Sequence, residues 1–398
     1  MPRRSLAARV RRRLSGGPDP GPLRVALPSC QGEAMAEGPV ALRGDAAALV
    51  DAPSLQVAVV VPSFRRGSGG HATIANLLRG LEAAGHRTSV WILDDEGRHA
   101  TESPAETAAH FADFFGALAG PVRVGFGGWA GADVVMATGW QTVAQVLRLP
   151  GASARAYLVQ DHEPEFYPTS AERDWAAWTY RQGLHCIAAS PWLADLVRTR
   201  YGADATSFDL GIDHDRYRPA AVERRTDRVL FYARAVTPRR AVPLGLLALA
   251  ELHRRRPQIE IALFGEARPI AAPFPYRPLG VLEAGDLARA YSEATVGLVL
   301  SLTNPSLIPQ EMLACGLPCV DLASESMLAT YGADGPATLA PPEPIALCEA
   351  IEALLDDPRR RARHTAEGQR WAAGRTWPAA ATQVEAGLRA AVREAAQP

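Results

Sequence analysis

Residues 300–319 read LSLTNPSLIPQEMLACGLPC and carry the chain from a strand into a helix. The apolar run at 296–302 predicts the strand, and a short polar loop follows it. The next helix carries one acid on its buried side, Glu311, and Gly316 and Pro318 end it before another apolar strand. In an α/β sheet, ligands bind where strand carboxyl ends meet helix amino ends. The segment therefore predicts an α/β fold in which Glu311 reaches a sugar hydroxyl while free first-turn N–H groups face an anion.

Strand–helix alternation extends over two separate blocks of the chain. The first begins with the strand 57–61 and the second with the strand 229–233, and an Arg/Glu-rich bridge lies between them. The 398 residues also exceed one typical domain core. We therefore expect two Rossmann-like domains with parallel sheets facing a central cleft. The predicted ranges are 1–51 for a basic and then Gly/Pro/Ala-rich irregular lead-in, 52–220 and 221–373 for the two domains, and 374–398 for a last helix.

The composition argues against a nucleic-acid partner and a membrane span, and it indicates the cellular compartment. The net charge of −1 gives no overall attraction for nucleic acid. Apolar runs such as 57–61 are far shorter than the ~20 residues of a membrane span. Five scattered cysteines without ligand spacing predict reduced thiols in a cytoplasmic protein.

The first 15 residues are basic and leave two interpretations open. They contain six arginines interleaved with apolar residues but no apolar core of a signal peptide. One interpretation is a disordered basic tail. The other is a short amphipathic helix that contacts anionic lipid peripherally at the inner face of the plasma membrane.

Two arginines follow the first strand of the second block. Arg234 and Arg239 are separated by a loop that Pro238 stiffens, and their planar guanidinium groups suit phosphate oxygens. The pair can converge on one diphosphate, although a solvated pair of loop charges is the alternative. Ser306 is a suitable N-cap and Pro309 is tolerated in the first turn of the next helix. The free amides of that turn offer a second diphosphate contact.

Polar and aromatic side chains of the first block could contact an acceptor. Asp161, His162 and Glu163 lie just past a strand end, and His162 is the best acid/base candidate by chemical type. A loop histidine that only forms hydrogen bonds is the alternative for His162. Three aromatic side chains could stack on sugar faces or belong to the core, namely Trp129, Trp140 and Tyr167.

Two further motifs are weaker. Asp213 and Asp215 form an acid-x-acid pattern, but their position in the segment leading to the domain boundary disfavours a metal site. Gly67, Gly69 and Gly70 do not have the G-x-G-x-x-G spacing of a dinucleotide fingerprint, which disfavours a dehydrogenase.

Taken together, three segments resemble the family 4 retaining glycosyltransferases of the GT-B fold. They are Arg234 with a basic residue five positions on, the helix segment PQEMLACGLP at 309–318, and GIDHDRYRP at 211–219. SLTNPSLIP at 301–309, QDHEP at 160–164 and FYAR at 231–234 look closer still to the bacterial rhamnosyltransferases that build surface polysaccharides. The resemblance covers about residues 56–383.

The resemblance implies roles for individual residues. Glu311 would bind the nucleotide ribose, Arg234 and Arg239 the diphosphate, and Gly69 and Gly70 would form the glycine loop beside the reaction centre. The full expected sets are catalytic Arg234, Arg239, His162 and Asp161; donor-binding Gly69, Gly70, Arg234, Arg239, Thr303, Asn304, Ser306, Leu307 and Glu311; and acceptor-binding His162, Glu163, Tyr167 and Trp140. No metal or other cofactor is expected, because cationic side chains and helix amides would neutralise the leaving phosphate.

Three positions depart from the family pattern. Thr303 stands where the broad family has an acid that contacts the donor sugar, Arg239 stands where a lysine is usual, and Gln160 precedes Asp161 where a histidine precedes an acid.

The implied function is transfer of a sugar to a glycan or lipid-linked glycan acceptor, with retention, in bacterial cell-surface polysaccharide synthesis. The best-matching donor is a dTDP-sugar, with L-rhamnose as the sugar. A non-catalytic nucleotide-sugar-binding scaffold and a nucleotide-sugar epimerase of the same fold stay open.

Overall fold

The structure is a computed structural model that describes residues 30–397. The basic segment that was considered for membrane contact lies outside the described residues. Within them, no helix is both long enough and apolar enough to cross a bilayer.

The first domain is built on a parallel sheet that shows seven strands among the described residues. Their order is β3-β2-β1-β4-β5-β6-β7. Residues 57–61 of the central strand are almost completely buried because helices cover both sheet faces, which explains their uninterrupted apolar run. The strands are β1 Gln56–Pro62, β2 Arg87–Leu93, β3 Val122–Val124, β4 Ala132–Ala137, β5 Ala152–Val159, β6 His185–Ala188 and β7 Ala205–Ser207.

Helices flank this sheet and include one in the segment expected to be irregular. They are α1 Gln31–Glu37, α2 Gly69–Ala83, α3 Pro104–Phe115, α4 Trp140–Arg148, α5 Ala171–Thr179 and α6 Pro191–Tyr201. Helix α1 differs from the prediction because it docks on α4, where Arg148 pairs with Glu33 at 2.6 Å and with Glu37 at 2.7 Å. Tertiary contacts, rather than local periodicity, therefore order this part of the lead-in.

The second domain repeats the architecture with a parallel sheet ordered β10-β9-β8-β11-β12-β13. Its strands are β8 Arg228–Tyr232, β9 Glu260–Phe264, β10 Arg277–Gly280, β11 Val296–Leu298, β12 Cys319–Leu322 and β13 Thr338–Ala340. Its helices are α7 Val242–Arg255, α8 Ala284–Glu293, α9 Leu307–Ala314, α10 Glu325–Tyr331, α11 Pro344–Asp356 and α12 Pro358–Ala373. Strand β11 is shorter than the predicted strand at 296–302, because regular pairing ends at Leu298 and, after one further backbone hydrogen bond from the Val299 N–H to the Val320 carbonyl at 3.1 Å, the chain forms the loop before α9. The prediction of two Rossmann-like α/β domains with parallel sheets is confirmed.

The last helix, α13 at Trp377–Ala395, returns to the first domain and packs against α2 and strands β5 to β7. Glycines permit the close approach, since a Cβ built on Gly80 would lie 2.3 Å from the Ala381 Cβ. The bridge that pairs Ile212 with Thr376 adds a contact between the first-domain range and the segment that leads into α13. These contacts join the last helix to the first domain.

Candidate active site

The candidate site lies where the strand order of each sheet reverses, between β1 and β4 and between β8 and β11. Ligands of open α/β sheets bind in the crevice at such points, outside the strand carboxyl ends. The predicted residues follow these ends: the glycine loop follows β1, Asp161 follows β5, Arg234 follows β8 and the loop with Thr303 follows β11. The structure brings two of these segments into direct contact, because Thr303 of the second domain donates to Asp161 of the first at 2.9 Å.

Helix α9 begins with polar groups whose hydrogen-bonding capacity is incompletely used. Ser306 is its N-cap, and the Ser306 Oγ is shielded from solvent without a hydrogen-bond partner among the described residues. The N–H groups of Leu307 and Ile308 belong to the first turn, where no partner exists inside the helix. An orphaned hydroxyl beside first-turn amides and the positive end of a helix dipole suits an anionic ligand.

Glu311 lies one turn further along α9 and is held by two tyrosines. The Tyr291 hydroxyl donates to the Glu311 carboxylate at 3.4 Å, and the Tyr217 hydroxyl also hydrogen-bonds to it. Burial raises the pKa of Glu311 to about 7, against the opposing effect of the two tyrosine hydrogen bonds. The segment 211–219 thus supports the acid directly, since Tyr217 belongs to it. A carboxyl group titrating near neutrality can accept a hydrogen bond from a ligand hydroxyl or donate one.

The arginines near β8 have three different environments. Arg234 is half-buried and forms no ion pair with any residue between 30 and 397. Arg239 lies over the Phe166 ring at 4.1 Å, and its Nε is 3.3 Å from the Asp161 Oδ2. Arg240, which the sequence analysis did not select, is buried and donates to the Ser301 Oγ at 2.6 Å. Arg234 is therefore the guanidinium free to meet a ligand anion directly, while Arg239 is engaged with the first domain.

The predicted glycine loop forms the start of α2. A Cβ built on Gly69 would meet no atom within 4 Å, and one on Gly70 would touch the Gln160 side chain at 3.4 Å. His71, a residue that sequence reasoning missed, fixes the loop because its ring nitrogens contact the Ser68 Oγ at 2.8 Å and the Pro62 carbonyl at 3.1 Å. Its position directly after two glycines at a helix start was the available signal.

His162, the expected acid/base and acceptor-binding group, lies inside the first domain. It is completely buried, its Nε2 lies 2.7 Å from the Tyr201 hydroxyl, and its Nδ1 lies 3.1 Å from the Glu165 carboxylate. Both ring nitrogens face groups of the first domain, which favours a structural role for His162, and the acid/base and acceptor-binding roles expected for it stay predictions.

Glu163 and Trp140 are likewise directed inward rather than toward an acceptor. The Glu163 carboxylate accepts the Trp140 backbone N–H at 2.6 Å and the Tyr157 hydroxyl at 2.9 Å. Burial raises the pKa of Glu163 to about 7 despite these two donors. Trp140 is 4% exposed and donates its indole N–H to the Tyr167 hydroxyl at 3.0 Å. Of the proposed acceptor contacts, Tyr167 is half-buried, whereas His162, Glu163 and Trp140 are buried.

The donor-loop residues Thr303 and Asn304 are also buried, with 3% and 1% exposure. The Thr303 hydroxyl is bound by Asp161, so it does not point freely toward a donor sugar. Asp161 itself is 7% exposed and accepts the Asn304 N–H at 3.0 Å. The structure therefore assigns these residues first to the contact between the two domains.

The acid-x-acid pattern organises a turn. The Asp213 carboxylate accepts the N–H groups of Asp215 and Arg216, and it pairs with the Arg216 guanidinium at 3.1 Å. Across residues 30–397, no three His, Cys, Asp or Glu side chains are grouped closely enough to share a metal ion.

The second domain is similar in sequence to a known protein family. Residues 227–352 match the family described as "WsaF, C-terminal domain". The O-antigen biosynthesis protein RfbC of Myxococcus xanthus is 31% identical over 264 residues, which are 64% of this chain and 20% of that protein. The chain thus spans about a fifth of the length of this curated relative.

Comparison with solved structures establishes the fold. Sucrose-phosphate synthase from Thermosynechococcus elongatus superposes with a TM-score of 0.64 and 18% identity over 84% of this chain and 98% of that one. Anabaena HepE, in complex with UDP and glucose, superposes with a TM-score of 0.63 and 14% identity over 84% of this chain and all of that one, 100%. The two-domain chain has the GT-B fold, as predicted.

Proposed function

We propose that the protein is a glycosyltransferase that moves a sugar from a nucleoside diphosphate to a glycan acceptor in bacterial surface-polysaccharide synthesis. The GT-B fold and the O-antigen biosynthesis relative support this class of reaction. The observation that carries it is the start of α9, where orphaned polar groups precede Glu311 with its two tyrosine donors. An anion site and a hydroxyl-binding acid one turn apart match the diphosphate and ribose of a nucleotide.

The proposed reaction breaks the bond between the anomeric carbon and the diphosphate oxygen, which keeps the electron pair. The acceptor hydroxyl oxygen bonds to the anomeric carbon and its proton passes to the departing phosphate. Negative charge grows on that phosphate in the transition state, so Arg234 and the first-turn amides of α9 stabilise the transition state more than the ground state. Arg239 adds positive charge from the same loop.

The finer proposal concerns the donor and the stereochemistry. We propose a dTDP-sugar donor with L-rhamnose as the transferred sugar, and retention of the anomeric configuration. Support comes from the sequence resemblance of 301–309, 160–164 and 231–234 to bacterial rhamnosyltransferases. The acceptor would be a glycan or a lipid-linked glycan.

The test is a donor and acceptor screen with the full-length protein. Thymidine diphosphate and uridine diphosphate are titrated first, followed by dTDP-rhamnose and UDP-glucose with glycan acceptors, and the release of nucleoside diphosphate is measured. Acceptor-dependent release with an α or β product identified by NMR supports the proposal and defines the stereochemistry. No binding of any nucleotide contradicts it.

Two other outcomes point to the alternative functions. Tight nucleotide binding without turnover over all acceptors indicates a scaffold protein, an alternative that the engagement of Thr303 by Asp161 makes worth testing. Conversion of the nucleotide sugar without any acceptor indicates an epimerase.

A further inference from the structure

The loop before α9 inserts the Asn304 side chain between residues of the first domain. The Asn304 Nδ2 donates to the carbonyls of Gln160 at 3.2 Å and Ala189 at 3.0 Å, and its Oδ1 accepts from the Ser190 Oγ at 3.0 Å. These three residues follow the carboxyl ends of β5 and β6 and form what we call the Asn304 pocket. All hydrogen-bonding groups of the Asn304 amide except one lone pair are thereby used between the two domains.

Asp161, which follows β5, supplies the negative charge of the Asn304 pocket. Its Oδ2 accepts from the Thr303 hydroxyl at 2.9 Å and lies 3.3 Å from the Arg239 Nε. Its Oδ1 accepts the N–H groups of Asn304 at 3.0 Å and of His162 at 2.9 Å. Three of the four contacts come from the second domain. A buried carboxylate that loses its partners is strongly destabilised, so separation of the domains requires water to replace them.

The loop that carries Asn304 is also held by hydrogen bonds within the second domain. The Thr303 carbonyl accepts from the Ser326 Oγ at 2.6 Å, and the Asn304 carbonyl accepts from the Ser301 Oγ at 2.9 Å. Buried Arg240 in turn donates to that same Ser301 Oγ at 2.6 Å. The loop that contacts Asp161 is therefore supported by hydrogen bonds from Ser301 and Ser326.

We propose that Asp161 is a positioning residue that holds the two domains closed before any donor binds. In the closed arrangement its carboxylate also keeps the Arg239 guanidinium beside the domain interface. This inference rests on the proposed function only for the use of Arg239, because closure without a ligand is a property of the protein itself. The donor then enters a preassembled site and does not have to supply the free energy of closure.

The test measures the shape of the nucleotide-free full-length protein by small-angle X-ray scattering. The wild type is expected to keep its radius of gyration when thymidine diphosphate or uridine diphosphate is added. Asp161→Ala is expected to enlarge the nucleotide-free particle. Glu283→Gln is the matched control, because it removes an exposed contact between the domains, in which Glu283 lies 3.8 Å from Arg66, and is expected to change nothing.

A second variant covers the case in which Asp161→Ala fails to fold. Thr303→Val is nearly isosteric and removes only the 2.9 Å hydrogen bond to Asp161, so it is expected to give a smaller expansion. A wild-type particle that contracts when either nucleotide is added, or two folded variants that remain as compact as the wild type, would overturn the proposal.

A kinetic measurement separates positioning from a purely structural role. Once a donor has been identified, Asp161→Ala is expected to raise the donor KM by about tenfold, since only a fraction of the free enzyme is closed, and to change kcat by less than about threefold. Asp161→Asn, which retains the shape and one acceptor oxygen, is expected to recover part of the affinity. A chain with no transferase activity would contradict the proposed function, whereas the scattering experiment would still measure closure independently.

Discussion

Tyr291 donates its hydroxyl to the Glu311 carboxylate at 3.4 Å, which links α8 to α9 beneath the candidate nucleotide site. Tyr217 contributes a second hydrogen bond from the segment between the domains. Burial still dominates and raises the pKa of Glu311 to about 7. The acid that the sequence singled out is therefore poorly hydrated, and a ligand hydroxyl would add a partner that solvent does not supply.

This environment makes Glu311→Gln stabilising at alkaline pH. An unfolded Glu311 has its ordinary pKa of 4.5, so between about pH 4.5 and 7 the native protein retains a proton that the unfolded chain has released. Stability from this group is thus present at low pH and is lost as the pH rises through 7. At pH 8 the variant should exceed the wild type by about 1–3 kcal/mol in free energy of unfolding, and at pH 5 by less than about 1 kcal/mol. Urea denaturation at both pH values measures this.

The control for the Glu311 prediction is Glu349→Gln on the exposed face of α11. It makes the same chemical change at the surface, where substitutions usually alter stability by less than about 0.5 kcal/mol. An equal difference between wild type and Glu311→Gln at pH 5 and pH 8 would show that Glu311 is not the titrating group.

The sequence predicts the parts of the fold that have strong local patterns. Central strands such as β1 and the helix α9 are evident, because buried parallel strands leave apolar runs and the Gly316 and Pro318 stop signals end the helix. The strands β3, β10 and β13 were missed. Each has only three or four residues, and exposed positions interrupt the apolar pattern in β3 and β10.

The site was predictable only where one segment defines it. Glu311 and the start of α9 belong to one segment, whereas Asp161 and Thr303 are 142 positions apart. No local pattern reveals that they form a hydrogen bond. His162 and Glu163 show a second limit, since polar residues after a strand look alike whether they face a ligand or the core. Only the packing of Tyr201 and Tyr157 against them decides the matter.

Arg234→Ala should reduce activity without reducing stability. The side chain is half-buried and makes no ion pair with the described residues, so its loss removes charge from the candidate diphosphate site alone. We expect kcat/KM to fall at least about 30-fold, which corresponds to about 2 kcal/mol of transition-state stabilisation. Arg289→Ala is the control, since Arg289 pairs with Glu293 on the surface of α8. Activity of Arg234→Ala within a few-fold of wild type would refute the diphosphate assignment.

In contrast to Arg234→Ala, His162→Ala should reduce stability and leave the pH dependence of activity unchanged. Loss of the contacts with Tyr201 and Glu165 inside the first domain is expected to lower the free energy of unfolding by about 1–3 kcal/mol. The pH dependence of kcat/KM should keep its shape, because a completely buried side chain exchanges no proton with the acceptor. Disappearance of one limb of the pH profile, with stability intact, would identify His162 as the acid/base group.

Gly69→Ala distinguishes a glycine kept for a ligand from one kept for the backbone. Gly69 begins α2, its φ is not in the left-handed region, and an added Cβ would have no atom within 4 Å. Alanine should therefore be tolerated and should raise the free energy of unfolding by about 0.4–1 kcal/mol, because it restricts the unfolded chain. If the loop lies against the donor, the same methyl group occupies the space of the ligand, and kcat/KM should fall about tenfold or more. Gly285→Ala is the matched control: Gly285 lies in the first turn of α8, also with open space around its Cβ, and its substitution should stabilise the protein without loss of activity. Full activity of Gly69→Ala would remove this loop from the donor site.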